Sequence, residues 1–514
     1  MQTHHFFKNT GGMNQKNNEL SLGADEAEDI VNLHATAEGS WSNRDIGYLH
    51  LNATPLADGK TITGLHQYEM LTGDLHLIAA AGASLYKVDP DTGQASVIAN
   101  GLSEANAVSF VTFNGLLIAC NGLNPPKKWD GENPAANLDG WPPAIAGVSV
   151  GNPSISEIYS NRLVFAGDAQ NPSMLFISEQ ENPQNFTPDG SVTSAGAIQV
   201  SPGDGEKITA LKTLFLPLSN EEVLVVFKQR STYILSGSNS ETFALQKISG
   251  EFGAVSHQSV VQVGGEMMFL SNEGITSLST ATLQGNLVSG FLSERIQAQI
   301  ERLNRSALSG AFAVHLRDRR EVWWCVPEGS TPQNQVVLVY NYGSGRGGAW
   351  SRRTGIQAAC GAAFAGRLLT GGYDGHIQQQ LRGNSYQGTP IPWRYRTGFQ
   401  DFSSPRLRKR IRDVELYLKQ ISTMPLTVHM QWDFNRSSVY QQTRTFVVAP
   451  DKASCIYGSA RFGQDFYNQS GTSSLRFTPS GSGRAFQMEL QGETMNNPVE
   501  IEGWSITTIP GGLR

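Results

Sequence analysis

A chain of 514 residues is longer than the ~100–200 residues of an ordinary single domain. Its 16% charged residues, 54 glycines and 9% aromatics suit a strand-rich assembly protein and exclude a disordered chain, which needs high net charge and few aromatics. The formal net charge of −6 argues against a dedicated nucleic-acid binder, which carries a basic excess.

Residues 1–60 begin with Met1-Gln2-Thr3-His4-His5-Phe6-Phe7-Lys8, which lacks the apolar core of a secretory signal. They hold few apolar runs and many Asn, Gly and Glu. They read as an N-terminal arm with first strands, packing along something larger and closing a ring in part. Nowhere does the chain approach the ~18–20 apolar residues of a membrane span. Cys120, Cys325, Cys360 and Cys455 are scattered without CxxC spacing. That pattern predicts reduced, buried thiols in a protein made in the cytoplasm, and neither a disulfide framework nor a zinc site.

From residue 61 a unit of apolar run, turn and second run recurs. It falls at 75–79 with 84–88, 116–120 with 127–129, 162–166 with 174–177, and 223–227 with 232–235. Three further units are 267–270 with 275–278, 322–325 with 336–340, and 367–370 with 376–378. The spacing of roughly 40–60 residues matches four-stranded propeller blades with loop insertions. An all-β fold is expected, with a β-propeller of six to eight blades over 61–385. One stretch departs from it. In 293–303, Ile296, Ile300 and Leu303 share a helical face, with Ser293 as cap and Glu294 at the positive end of the dipole. This predicts one short inserted helix.

Past 385 the blade unit stops. Alternating strands are expected at 391–397, 414–418, 426–432, 443–448, 474–478, 485–490 and 501–508. They read as a separate C-terminal antiparallel β-sandwich over 386–514.

Signs of catalysis are weak. Asp89 and Asp91 have the opening spacing of a calcium loop but no closing acidic residue follows, so a turn is the better reading. Trp129-Asp130 stands without the partners of a WD repeat. The run 343–348 lacks the Lys-Ser/Thr ending of a phosphate loop, and Tyr373-Asp374-Gly375 lacks the rest of a sialidase Asp box. There is no HExxH and no GxSxG. No catalytic, cofactor-binding or metal-binding residue is assigned, no cofactor is expected, and the chain reads as a non-enzyme. The strongest charge cluster is Arg406-Leu407-Arg408-Lys409-Arg410-Ile411-Arg412. Without interleaved aromatics it suits a protein interface better than DNA, and Arg406, Arg408, Lys409, Arg410 and Arg412 are the interface candidates.

The order of several further segments resembles a known family. Gly11-Gly12-Met13-Asn14, Ala27-Glu28-Asp29-Ile30-Val31-Asn32 and Gly39 with Arg44-Asp45-Ile46-Gly47-Tyr48 open the likeness. Val225-Val226-Phe227-Lys228-Gln229-Arg230-Ser231-Thr232-Tyr233 continues it. Ser293-Glu294-Arg295-Ile296 follows, then Arg320-Glu321-Val322-Trp323-Trp324, Val337-Leu338-Val339-Tyr340-Asn341, Trp350-Ser351 and Tyr373-Asp374-Gly375. Together they resemble the tail hub or nozzle (packaged-DNA-stabilising) proteins of short-tailed phages. The resemblance implies a virion tail protein, made in the host cytoplasm, that forms a homo-oligomeric, six-fold ring below the portal and adaptor. It also implies contacts with other tail proteins (fibre, spike or needle), duplex DNA passing without tight binding, and no catalytic residues. The competing expectation is a peripheral tail propeller that binds or degrades host surface carbohydrate.

Overall fold

Runs of Val, Ile, Leu and Phe broken by Gly, Asn and Asp fold into short strands throughout the chain. The computed structural model describes residues 1–7, 10–16, 22–216, 220–278, 291–344, 347–420, 423–434, 441–449, 472–495 and 497–511. Cys455, and residues 345 and 346 of the glycine-rich loop, lie outside them.

Each expected hairpin supplies inner strands of a small antiparallel sheet. The first sheet is Ile62–Glu69, Leu75–Ala81, Ser84–Val88 and Ala95–Asn100. The second is Ser109–Phe113, Leu116–Cys120, Lys127–Trp129 and Ala136–Asn137. Its first hairpin turns at Asn114-Gly115, both at positive φ (48° and 74°), the backbone that a two-residue turn between twisted strands requires. The third is Ile155–Tyr159, Arg162–Ala166, Met174–Ile177 and Gly196–Gln199, and the fourth is Ile208–Leu216, Glu221–Lys228, Thr232–Ser236 and Ala244–Ser249. Val260–Val263, Glu266–Leu270 and Ile275–Ser277 form the described part of the fifth. The sixth is Phe312–Leu316, Glu321–Pro327, Asn334–Asn341 and Ala349–Thr354.

The seventh takes three strands in sequence, Cys360–Phe364, Arg367–Gly371 and Ile377–Gln380, and a fourth, Tyr48–His50, from near the N-terminus. Gln378 pairs with His50, Gln379 with Leu49 and Gln380 with Tyr48. First strands of successive sheets touch, and the first strand of the seventh meets that of the first. The sheets therefore form a closed, propeller-like ring.

Alternation along the strands explains the stacking. Successive side chains point to opposite faces, and here both faces are covered. Leu224 and Val226 enter a cluster with Val164 and Leu175 of the third sheet. Val223, Val225 and Phe227 enter another with Met267 and Phe269 of the fifth. A strand buried on both sides reads as a continuous apolar run, which is why these hairpins stand out in the sequence.

Residues 1–60 supply the expected first strands, and Tyr48–His50 helps close the ring, but they pack into the fold rather than extending as an arm. Gln2–Phe7 pairs with Val499–Pro510, Glu26–Val31 with Thr389–Thr397, and Trp41–Ser42 with residues 500 and 501. Phe6, Met13, Ala27, Ile30, Leu33 and Trp41 are buried in the main core. These apolar residues come singly or in pairs because each short segment slots between strands supplied by the rest of the chain.

All the expected C-terminal strands form, in two sheets. One runs Thr472–Phe477, Lys409–Gln420, Val499–Pro510, Trp41–Ser42 and His34–Ala35, with Gln2–Phe7 also on Val499–Pro510. The other runs Gln442–Val448, Met424–Trp432, Phe486–Thr494, Thr389–Thr397 and Glu26–Val31. The sandwich is not separate from the ring. Glu26–Val31 lies beside Ala349–Thr354 of the sixth ring sheet, pairing at Val31 and Arg352. Trp324, Leu338 and Trp350 of that sheet share one core with Val414, Leu416, Val428 and Leu490 of the sandwich.

The inserted helix is shorter and less regular than its stripe suggests. A 3₁₀ turn, Leu292–Ile296, runs into a single α turn, Gln297–Ile300. Ile296, Ile300 and Leu303 are buried in the shared core as the pattern predicts. Ser293 does not cap. Its hydroxyl accepts the Ile275 N–H (2.9 Å), which draws the segment onto the fifth sheet instead.

Ile300→Ala leaves a cavity in this core and is expected to cost about 2–5 kcal/mol, seen in calorimetry as a lower Tm with an unchanged oligomeric state. An unaltered Tm would contradict the burial. Deleting residues 1–7 removes an edge strand together with Phe6, and should lower Tm by several degrees.

Candidate interaction surface

The arginine-rich run enters the long strand Lys409–Gln420, whose Ile411, Val414, Leu416 and Leu418 face the core. Arg410 and Arg412 fall on the outer side and are exposed, as are Arg406 and Arg408 in the turn before it. Lys409 departs from the expectation. It lies two residues before Ile411, hence on the inner side, and is only 4% exposed. Its ammonium donates to the carbonyls of Ser404 (2.5 Å) and Arg484 (3.1 Å) and sits 6.0 Å from the Phe402 ring. Burial lowers its pKa, against the opposing pull of Asp401 and Asp433. Lys409 is a structural clamp and leaves the set of interface candidates.

The four exposed arginines are not equivalent. Arg408 donates through Nε to the Ser482 hydroxyl (3.0 Å) and through Nη2 to the Ser482 carbonyl (3.2 Å). Arg412 lies 3.7 Å from Asp413, whose carboxylate takes a shorter bond from Arg476 (2.8 Å) and is held below its usual pKa chiefly by it. Arg406 and Arg410 have no side-chain partner among the described residues.

The ring axis carries a polar cluster that the sequence did not mark. Lys212 of the fourth sheet pairs with Glu157 of the third (3.0 Å). His66 of the first sheet shares a hydrogen bond with the Thr112 hydroxyl of the second (2.9 Å). His257, just before the fifth sheet, accepts the Leu211 N–H at Nδ1 (3.4 Å). Burial first, and the Lys212 charge second, push His66 down to about 4. The same burial and the same lysine push His257 down to about 3, against a smaller upward pull from the Leu211 N–H bond. Both rings are therefore neutral at physiological pH, and these contacts link neighbouring sheets around the ring. Polar residues in the first strands, such as Leu65-His66-Gln67, were the available signal.

The weighed motifs resolve locally. Asp89 accepts the N–H groups of Asp91 (2.9 Å) and Thr92 (2.8 Å), a tight turn, and Asp91 pairs with Arg367 (3.0 Å). Cys120, Cys325 and Cys360 are free and buried, and burial raises all three thiols, Cys120 and Cys360 to about 12. Among the described residues no cluster of His, Cys, Asp or Glu could hold a metal ion, and no helix is long and apolar enough to cross a membrane.

No protein-family model and no curated protein matches the chain. Among solved structures, it is similar to the computationally designed Ika8 protein, at 12% identity over 64% of this chain and 99% of that one, with a TM-score of 0.35. It is also similar to a chain of the mitotic checkpoint complex, at 12% identity over 65% of this chain and 97% of that one, with a TM-score of 0.39.

The axial histidines set a pH dependence. Their folded pKa values lie below the unfolded value of 6.5, so the unfolded chain binds more protons in the window between. Stability is full above about pH 6.5 and declines as pH falls through about 4 to 3. Thermal melts should show this decline, and H66Q/H257Q should reduce it, leaving the share of His34, which burial and then nearby arginines likewise push down to about 3.

Proposed function

We propose that the chain is a structural subunit of the tail of a short-tailed phage. In this reading the seven sheets are a seven-bladed propeller, and copies assemble through their sandwiches into a six-fold hub or nozzle ring below the portal and adaptor. The ring lines the DNA exit path and supports genome retention and ejection, with no catalytic step, and it contacts other proteins of the virion tail.

The observation that carries the reading is the row of exposed arginines. Arg406 and Arg410 have no internal partner, and Arg408 and Arg412 are only partly engaged, on a chain of net charge −6. A surface that concentrates cations on an acidic protein suits an acidic face of a neighbouring copy. Electrostatic complementarity of that kind fixes register between subunits. Six copies would sum to a formal charge of about −36. An acidic conduit lets DNA slide, because each phosphate neutralised by Lys or Arg releases counterions and adds affinity.

Mass photometry and electron microscopy of the purified chain test this. A closed ring is expected, reduced to monomers by R406S/R410S with the circular dichroism spectrum unchanged. A monomer at every concentration would sink the assembly. Tight duplex binding at physiological salt, abolished in R406S/R410S, would make the surface a DNA clamp instead.

A further inference from the structure

Between the sixth and seventh sheets the fold opens a cleft of about 450 Å³. The turn after Phe312–Leu316 brings Arg317 and Arg319 to it. The seventh sheet contributes Arg367 at the start of a strand and Arg382 just beyond the next. Asp318 is the one carboxylate in the lining. Arg367 is engaged by Asp91 and by the Pro90 carbonyl (3.0 Å each), whereas Arg317, Arg319 and Arg382 have no acidic partner within 4.0 Å among the described residues.

Two buried polar atoms of the lining lack partners. One is Nη1 of Arg319. The other is Oε1 of Gln380, a side chain only 3% exposed. The Gln380 amide is oriented by its Nε2, which donates to the Thr370 hydroxyl (2.8 Å) and to Gln378 Oε1 (3.1 Å). Its oxygen is left without a hydrogen-bond donor. Close to Arg319, Arg353 is fully buried, its guanidinium 4.3 Å from the Trp323 ring, with Nε, Nη1 and Nη2 all without a hydrogen-bond partner. Glu321 attracts this charge and Arg319 repels it. Leu316, Leu368 and Leu381 supply an apolar part of the wall.

An occupant must therefore bring a planar anion for guanidinium forks, a hydroxyl or N–H for Gln380, and a compact apolar face. Guanidinium matches a carboxylate in two-point geometry. A phosphodiester answers the arginines but has no hydrogen to give Gln380, and a neutral sugar gives the hydrogen but no charge. We propose that this cleft binds an acidic sugar, a saccharide unit bearing a carboxylate beside hydroxyl groups. The site goes beyond the assembly reading and does not depend on it, since none of its residues belongs to the row at Arg406 and Arg410.

Calorimetric titration of the full chain with glucuronate tests it, with glucose, acetate and inorganic phosphate as controls. Saturable glucuronate binding is expected, with each control weaker by about tenfold or more. R319Q and R382Q should each weaken it by about tenfold. Arg382 is exposed, and its backbone N–H donates to the Gly47 carbonyl (2.9 Å), so R382Q decides the matter if R319Q lowers Tm. No saturable binding, equal binding of acetate or phosphate, or glucuronate affinity unchanged in R382Q would each overturn the proposal.

Discussion

The ring closes with a strand taken from the chain's own beginning, and every gap between sheets depends on that closure. Three residues, Tyr48–His50, complete the seventh sheet, and side chains lock them there. The Asn52 amide donates to the carbonyls of Thr54 (2.8 Å) and Gly375 (3.0 Å), and its oxygen accepts the Ile377 N–H (2.7 Å). Tyr48 stacks on Tyr386, and His50 stacks on His376 at 4.1 Å. Gly47 has no room for a side chain, because a Cβ would lie 2.3 Å from the Ser385 carbonyl oxygen. Only with the seventh sheet held does the apolar layer of Leu77, Val88, Phe364 and Leu369 seal it against the first.

A second constraint ties the ring to the sandwich. Two aromatic groups in the shared core flank the junction: Trp324 and Tyr340 on Trp350 within the sixth sheet, and Trp41 on Tyr395 with Tyr395 on Trp504. Beside it, buried Asp29 bridges Arg352 of the ring (3.3 Å) and Arg394 of the sandwich. Ion pairs of this kind add little net stability but penalise any arrangement that leaves one partner alone. The apolar layer supplies the cohesion, and the charged bridge fixes the register at which Glu26–Val31 enters.

The ring hairpins were legible because strands buried on both faces must be continuously apolar, as in Val223-Leu224-Val225-Val226-Phe227. The first strands were harder to see, since residues such as His66, Thr112 and Glu157 turn toward the axis and break the run. The N-terminal strands were misread as an arm because a segment inserted between others needs only an occasional Phe6, Ile30 or Trp41. The stripe of Ile296, Ile300 and Leu303 was correct as burial, but the Ser293 hydroxyl found a better partner in the fifth sheet than in its own turn. Lys409 shares the parity of Ile411, so strand alternation alone places it inside, although its neighbours make the stretch look like a uniform run of exposed charge. The arginine cleft left no local trace. Arg319 and Arg382 meet only because the sixth and seventh sheets stand side by side.

The pairing of Gln2–Phe7 with Val499–Pro510 also has a consequence for biosynthesis. At the usual ~5–20 residues per second, the ribosome takes roughly 25–100 s to produce the partner of the first strand. Throughout that time Phe6 has no core to enter, and the seventh sheet keeps its edge open until residues 377–380 emerge and capture the strand made long before. Such long-range pairing is slow to form. The nascent chain is thus a string of nearly finished sheets with an unlatched end, and the cell must keep that end from pairing with the next copy on the same message.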